Sequence, residues 1–387
     1  MNEIRAFLEA RHLELASSVA AFAAAEIAPL PAPSDDAAAR AQAREILGRL
    51  GAAGWMRWAV PEAWGGTAEA PDLRACCLLR EALAAASPLA DAVFALQCLG
   101  SMPITLGGTA AQRAAWLPRV LRGEAMTAFA MTEPEAGSDV GGLATTAQRD
   151  GDGWRLDGGK TLISNAGIAD VYCVFAATDR AAGSRGLSCF LVPAETPGLR
   201  FAGAQVLSAP HPLGEITFEA SRLPADALLG EEGAGFKLGM RTLDRLRPTV
   251  AAAACGMAAR ALNEALAHAR TRRQFGEPLA SFQLMQSKLA VMATELAAAR
   301  LLVYRAAWEA DRGAERITLE AAMAKAYATE AAQRIVDSAV QIIGGRGVLA
   351  DHPVDRLYRA VRALRIYEGT TEVQHLVIAR HLIGKVS

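Results

Sequence analysis

The hydrophobic period of the chain changes twice, and this limits the fold more than any other feature. Up to about residue 122 the apolar residues recur at three- to four-residue intervals. Leu8, Leu13, Leu15, Val19 and Phe22 form a first stripe, and the Pro29–Pro33 turn cluster breaks it. Ile46, Leu47 and Leu50 form a second stripe, and a third apolar stretch runs from Cys76 to Leu99. From about 123 to 227 short β-rich runs take over: VYCVFAA (171–177), LSCFLV (187–192) and EITFEA (215–220), with Gly, Pro or charged breaks between them. GWRLDGGKTLIS predicts two short strands joined by a turn at Asp157, Gly158 and Gly159. After Gly235 the helical period returns along Phe236, Met240, Leu243, Leu246 and Val250. Long patterns then cover 281–312 and 317–343, and shorter ones 353–365 and 371–384. Helices of that length in antiparallel order predict a four-helix bundle. The expected fold is α+β: an N-terminal α-helical domain (1–122), a middle antiparallel β domain (123–227) and a C-terminal four-helix-bundle domain (228–387).

The bulk numbers agree with a large buried core. Of the 387 residues 52% are apolar and 6% aromatic, a balance that favours close-packed helices over a β-sandwich. Forty basic residues against forty-one acidic ones leave a charge of -1, which argues against a general nucleic-acid binder, since that would need a basic face. The six cysteines, Cys76, Cys77, Cys98, Cys173, Cys189 and Cys255, form no CxxC pair and read as buried reduced thiols. The start of the chain, MNEIRAFLEARHLELA, is amphipathic and lacks the apolar core of a signal peptide. No run of eighteen uncharged apolar residues is present, so the expectation is a soluble cytoplasmic protein with no membrane partner.

Several apparent motifs come to nothing. The stretch from Gly153 through Lys160 and Thr161 resembles a Walker A loop but is one residue out of register and does not precede a helix. Gly233-x-Gly235 and Gly344-Gly345-Arg346-Gly347 do not fit the GxGxxG fingerprint of a dinucleotide fold. His12, His211, His268, His352, His375 and His381 show no metal-ligand spacing.

Three separated segments carry a different signal: Ala128-Phe-Ala-Met-Thr-Glu-Pro-Glu-Ala-Gly-Ser-Asp139, Lys160-Thr-Leu-Ile-Ser-Asn165 and Arg365-Ile-Tyr-Glu-Gly-Thr-Thr-Glu372. In this order, with an α-β-α layout and this length, the chain resembles the acyl-CoA dehydrogenases over essentially its whole extent. The resemblance implies FAD as cofactor, an acyl-CoA as substrate, electron-transferring flavoprotein as electron acceptor and a homo-oligomer, a dimer or tetramer. The chemistry suits the residue types. Removing a proton α to a thioester needs a base, a hydride acceptor and stabilisation of charge on the carbonyl oxygen. Glu368 is the expected base, in a tight Tyr-Glu-Gly connection where Gly369 permits unusual backbone angles. A carboxylate that loses water there gains a raised pKa. Thr371 and Gln374 have capping-box spacing for the last helix.

Carried over residue by residue, the resemblance assigns Phe129, Met131, Thr132, Leu162 and Ser164 to the flavin ring, and Ser138 to the flavin phosphate or the pantetheine region of the acyl-CoA. Asp244 and Arg247 match a CoA-contacting stretch, and Pro248 is expected to kink the helix there. Tyr367 and Gly369 flank the thioester, and Thr370 and Glu372 join the cofactor set. Arg272, Gln274, Phe275, Gln283, Gln341 and Gly345 resemble the segments that hold the far end of FAD, in the family that of a neighbouring subunit. Leu246 stands where some relatives carry their catalytic glutamate, so Glu368 has no rival. Two places depart from the family pattern: Leu162 replaces a common Trp, and Ala209-Pro-His-Pro-Leu213 replaces a Ser/Asp-rich stretch, a form closer to members acting on cyclic or branched acyl groups. Leu96, Cys98, Leu99, Met240 and Leu243 are the acyl-pocket candidates. A relative acting on a carrier-protein thioester, or one passing electrons to oxygen, keeps the same glutamate.

Overall fold

The computed structural model describes residues 2–384. Its helices are α1 (Ala10–Phe22), α2 (Asp36–Ala52), α3 (Leu73–Ala86), α4 (Pro88–Gly107), α5 (Ala110–Leu121), α6 (Gly235–Thr271), α7 (Gln283–Asp311), α8 (Thr318–Ile343), α9 (Pro353–Leu364) and α10 (Thr371–Ile383). The strands are β1 (Thr127–Ala130), β2 (Thr146–Asp150), β3 (Gly153–Ser164), β4 (Val171–Ala177), β5 (Leu187–Pro193), β6 (Leu199–Ala204), β7 (Leu213–Leu223), β8 (Leu228–Leu229), β9 (Arg273–Gln274) and β10 (Glu277–Pro278). These elements form two compact units, neither continuous in sequence. One contains the chain up to Leu30, Leu73–Asp91 and everything from Arg247 onward; the other contains Pro31–Asp72 and Ala92–Leu246.

The first unit is helical. Within it α1 packs on α3, α3 on α7, α7 on α8, and α8 on both α9 and α10. Small residues allow the close approach: Ala321, Ala322, Ala324, Ala328, Ala331 and Ala332 of α8 are all buried. Charged residues hold the helices in register where apolar packing cannot. Glu81 of α3 accepts from Arg300 Nε at 2.7 Å and from the Tyr304 hydroxyl at 2.9 Å, both on α7. Arg74 of the same helix donates to Asp311 at 2.9 Å.

The second unit is built around one sheet in the order β6-β7-β3-β2-β4-β5-β8, with β1 beside β4. This sheet is mixed, which corrects the expectation of an antiparallel domain: β1 runs parallel to β4 from Thr127↔Val171 to Ala130↔Val174, and β2 touches β4 in parallel at Thr146↔Ala177. The sign was present in β4 itself. All seven of its residues are buried, the unbroken apolar run of a strand covered on both faces. Alternation then divides the core. Tyr172, Val174 and Ala176 face Trp154, Phe190 and Phe218, while Val171, Cys173, Phe175 and Ala177 face Met131, Leu117 and Leu238. Fully burying each large side chain contributes about 1.5–3 kcal/mol.

A second correction concerns GWRLDGGKTLIS, which is the single strand β3 and not a hairpin. Its register against β7 slips between Leu156 and Gly158, so the Asp-Gly-Gly segment is a bulge. Gly158 adopts φ +139, and a Cβ there would lie 2.7 Å from Thr145 Cα. The turn of the hairpin lies between β2 and β3, at Asp150↔Gly153. The apolar stretch from Cys76 to Leu99 divides at Ser87–Pro88 into α3 and α4. Among the described residues α4 alone is long and apolar enough to cross a membrane, and 67% of that stretch is buried. All six cysteines are buried free thiols.

Candidate active site

The connection between α9 and α10 is six residues long, and two successive residues in it take left-handed backbone angles: Glu368 at φ 54 and Gly369 at φ 90. For glycine this is ordinary, but for glutamate it costs on the order of 1–3 kcal/mol. The surrounding helices supply the restraint. Arg247 of α6 donates from Nε to the Glu368 carbonyl at 3.4 Å. The Gly369 carbonyl accepts from Lys325 Nζ of α8 at 2.7 Å and from Gln374 Nε2 of α10 at 3.0 Å. Glu330 of α8 takes both Arg365 Nε at 2.7 Å and the Thr371 hydroxyl at 2.8 Å, so the two ends of the turn share one carboxylate. The cap of α10 is Thr370, whose hydroxyl accepts from Val373 N at 3.3 Å. This corrects the reading of Thr371 and Gln374 as a capping box. The glutamine amide is drawn instead to the Gly369 carbonyl, which the left-handed turn exposes toward it.

Within this frame the Glu368 carboxylate is left partly unsatisfied. Its Oε2 is buried and has no hydrogen-bond partner, although the residue as a whole is only part-buried. Burial raises its pKa above the ordinary 4.5; Arg80, Arg247 and Lys325 pull it back, and Asp91 pushes it up. Arg80 lies deep, bound by Asp91 through Nε at 2.7 Å and Nη2 at 2.9 Å, with Nη1 on the Thr249 hydroxyl at 3.0 Å. Burial works against its charge, but Asp91 outweighs this and raises its pKa. Tyr367 keeps 38% of its surface exposed, yet its hydroxyl is desolvated against Arg80 and its pKa rises. Lys325 is fully buried, and desolvation lowers its pKa to about 8. The arrangement is that of a carboxylate held dry, neutralised by surrounding cations and open on one oxygen, which is what a general base requires.

In the other unit the first and second sequence segments lie side by side. Lys160 Nζ donates to Glu133 Oε1 at 2.6 Å and to the Met131 carbonyl at 3.1 Å, with both charged side chains almost fully buried. Burial brings the Lys160 pKa down to about 8, and the lysine beside Glu133 leaves that carboxyl low. The Walker-like lysine is therefore committed inside the protein. Thr161 N donates to the Thr132 carbonyl at 3.0 Å, joining the segments again. Leu162 sits at φ 55 with 54% of its surface exposed, its N–H on Gln205 Oε1 at 2.8 Å. The Ser164 hydroxyl meets His211 Nε2 at 3.2 Å. Phe129 and Thr132 are part-buried, Met131 buried and Ser138 exposed. The two joined segments thus carry the hydroxyls of Thr132 and Ser164 together with the apolar side chains of Phe129 and Leu162.

The remaining expected residues fall into two groups. Asp244 is part-buried on α6, and Arg247 is buried one turn later. The helix continues through Pro248 without ending. Arg272, Gln274, Phe275, Gln283, Gln341 and Gly345 are all exposed. Phe275 is 96% exposed at φ 51 and meets Phe282 edge-on at 6.2 Å. His268 shows that the end of α6 and the 344–348 turn converge: burial lowers its pKa, and the charges of Arg272, Arg346 and His352 lower it further. The result is a basic corner, with Arg272 and Arg346 both exposed, suited to an anionic group. Thr370 serves as the helix cap, and Glu372 lies exposed in the first turn of α10.

Lys325, Arg80 and Asp91 were not among the candidates. A single charge in an alanine-rich helix reads as a solvent face, and only an unusually apolar context, as in CCLLREALAAA, hints at burial.

Comparison with known proteins completes the description. Sequence profiles of the N-terminal, middle and C-terminal domains of acyl-CoA dehydrogenase match residues 9–124, 128–221 and 233–383. A probable acyl-CoA dehydrogenase of Mycobacterium tuberculosis is 37% identical over 378 residues, 97% of this chain and 96% of that one. The structure of butyryl-CoA dehydrogenase from Megasphaera elsdenii superimposes with a TM-score of 0.91 at 34% identity, covering 97% of this chain and 99% of the other. A glutaryl-CoA dehydrogenase from Mycobacterium smegmatis, solved in complex with FADH2, gives a TM-score of 0.89 at 28% identity over 99% and 97% of the two chains.

Proposed function

We infer the function from one premise, that the chain belongs to the acyl-CoA dehydrogenase family. On that basis it is a flavoprotein oxidoreductase that converts an acyl-CoA to the 2-enoyl-CoA. Glu368 removes the α-proton. The observation that carries this assignment is the buried, unpartnered Glu368 Oε2, with its raised pKa, on a left-handed turn held by three cross-helix hydrogen bonds. FAD, when bound, supplies the acceptor for the β-hydride. Phe129, Met131, Thr132, Leu162 and Ser164 hold its ring, with Thr132 and Ser164 offering hydroxyls to the heteroatoms and Leu162 covering a face. Ser138, Asp244 and Arg247 are assigned to CoA, and Tyr367 and Gly369 to the thioester. Arg272, Gln274, Phe275, Gln283, Gln341 and Gly345, with Thr370 and Glu372, are assigned to the cofactor, the exposed six reaching that of a second subunit in a homo-oligomer.

In this reading the long helices after Gly235 make a four-helix bundle, the domain limits stand near 122 and 227, the protein is cytoplasmic, and electron-transferring flavoprotein accepts the electrons. The Ala209-Pro-His-Pro-Leu213 stretch favours a cyclic or branched acyl group, and Leu162 alters the shielding of the flavin ring.

The test is anaerobic titration of the purified protein with straight, branched and alicyclic acyl-CoAs, followed through the oxidised-flavin absorbance. Bleaching by one class, lost in Glu368→Gln, supports the assignment and names the class. A yellow protein bleached only by a carrier-protein thioester moves the substrate, and a colourless protein that does not take up FAD defeats the reading.

A further inference from the structure

Lys325 is a buried ionisable group beside the Glu368 turn that the proposed reaction leaves without a task. It lies on α8 with no exposed surface, in the alanine-rich stretch MAKAYATEAA. An ammonium is costly to bury, and an apolar side chain of the same length would fill that space without the penalty. Its Nζ donates to a backbone carbonyl, that of Gly369, at 2.7 Å. That carbonyl follows Glu368 directly, and the carbonyl of Glu368 itself is held by Arg247. Two cations from two helices thus fix consecutive peptide groups of the turn, while the neutral Gln374 amide shares the second site.

We propose that Lys325 is a positioning residue, whose ammonium holds the Gly369 carbonyl and so keeps Glu368 in the left-handed conformation that presents its carboxylate for reaction. This rests on the reading of Glu368 as the base. The charge matters as well as the hydrogen bond. Glu368, Glu330 and Glu372 favour the ammonium, burial and Arg247 oppose it, and desolvation leaves it titrating near pH 8. Glu368 in turn faces Arg80, Arg247, Lys325 and Asp91. As pH rises through about 8 the ammonium is lost, the bond to Gly369 weakens and one of the cations lowering the Glu368 pKa disappears.

The experiment is the rate of flavin bleaching in anaerobic stopped flow between pH 5 and 10. The probe is whichever of butyryl-, isobutyryl- and cyclohexanecarbonyl-CoA bleaches the wild-type holoenzyme fastest. The wild-type profile is expected to rise on Glu368 and fall near pH 8. In Lys325→Met the rate drops about 10- to 100-fold, the size of a lost charged hydrogen bond. Its falling limb vanishes and its rising limb moves to higher pH. Lys325→Arg, which stays charged, recovers rate and pushes the falling limb out of range. A wild-type profile flat from pH 7 to 9.5 overturns the proposal even if neither variant folds. So does a Lys325→Met profile that is scaled down with both limbs in place, since a merely structural role gives that result. If no acyl-CoA bleaches the wild-type flavin at any pH, the reading of the function fails and takes this proposal with it. If bleaching is normal and the limbs do not move, only the role of Lys325 fails.

Discussion

The buried pair of Arg80 and Asp91 gives the sharpest test of how charge is organised around the turn. Each side chain is 3% exposed, and the guanidinium is bidentate on the carboxylate. Replacing Asp91 by Leu leaves a cation and two N–H donors stranded away from water. Each unsatisfied donor costs about 1–3 kcal/mol, and breaking a buried pair from one side costs about 3–5 kcal/mol in all. At about 2 °C per kcal/mol the melting midpoint falls by roughly 6–10 °C. The double variant Arg80→Met with Asp91→Leu restores an apolar contact and recovers stability to within about 1 kcal/mol of wild type, because a buried ion pair is nearly balanced against its desolvation. Thermal and urea denaturation of the four proteins close the double-mutant cycle. A single Asp91→Leu variant that loses less than about 1 kcal/mol, or a double variant as unstable as the sum of the singles, would refute the reasoning. The same variants move the acid limb of the bleaching rate in opposite directions. Removing Asp91 lowers the Glu368 midpoint and removing Arg80 raises it, because Arg80 lowers that pKa and Asp91 raises it.

Further outcomes follow from other parts of the structure. Since the Glu368 pKa is raised from 4.5, the acid limb of the bleaching rate falls as pH drops through it, and the apparent pKa of that limb lies above the ordinary glutamate value. Glu133→Leu leaves Lys160 buried without its carboxylate and costs about 3–5 kcal/mol of stability, read from the urea midpoint, while equilibrium dialysis shows weaker FAD retention because the segments around Met131 and Leu162 meet at that pair. In Gly256→Ala the new Cβ would lie 2.1 Å from the Glu81 carbonyl oxygen, so α6 must separate from α3; a melting point within about 1 °C of wild type contradicts that contact. Thr370→Ala removes the cap of α10 and costs about 0.5–2 kcal/mol, measured by urea midpoint.

Much of the fold was legible in the sequence, because hydrophobic period reports burial directly. The patterns over 281–312, 317–343 and 353–365 correspond to α7, α8 and α9 within two residues. The failures have a common origin in pairing, which a single sequence encodes weakly. Asp-Gly-Gly satisfies a hairpin turn and a bulge alike, and only the partner strand decides between them. The parallel pairing of β1 with β4 depends on chain that intervenes between them, and nothing local specifies it. At the site, the Tyr-Glu-Gly segment was readable from its residue types. Lys325, Arg80 and Asp91 were not, because the partners of a buried charge lie on other helices. Thr370 took the capping role from Thr371 for a similar reason: Lys325 and Gln374 fix the carbonyl before it, and that sets where α10 begins.

The discontinuity of the helical unit has a consequence for how the protein is made. Its α3 is synthesised early, but the partners of that helix come late: Thr249, Arg300, Tyr304 and Asp311 all lie beyond Arg247. Until those residues leave the ribosome, Arg80 has Asp91 alone, Glu81 lacks the cation and hydroxyl that hold it, and the apolar face of α3 has no helix α7 to cover it. The early part of the chain therefore waits for the later part, and the unit closes only after the chain as far as Asp311 has been made. A chain truncated after the sheet would be left with this helix uncovered and prone to aggregate, however well the sheet itself had folded.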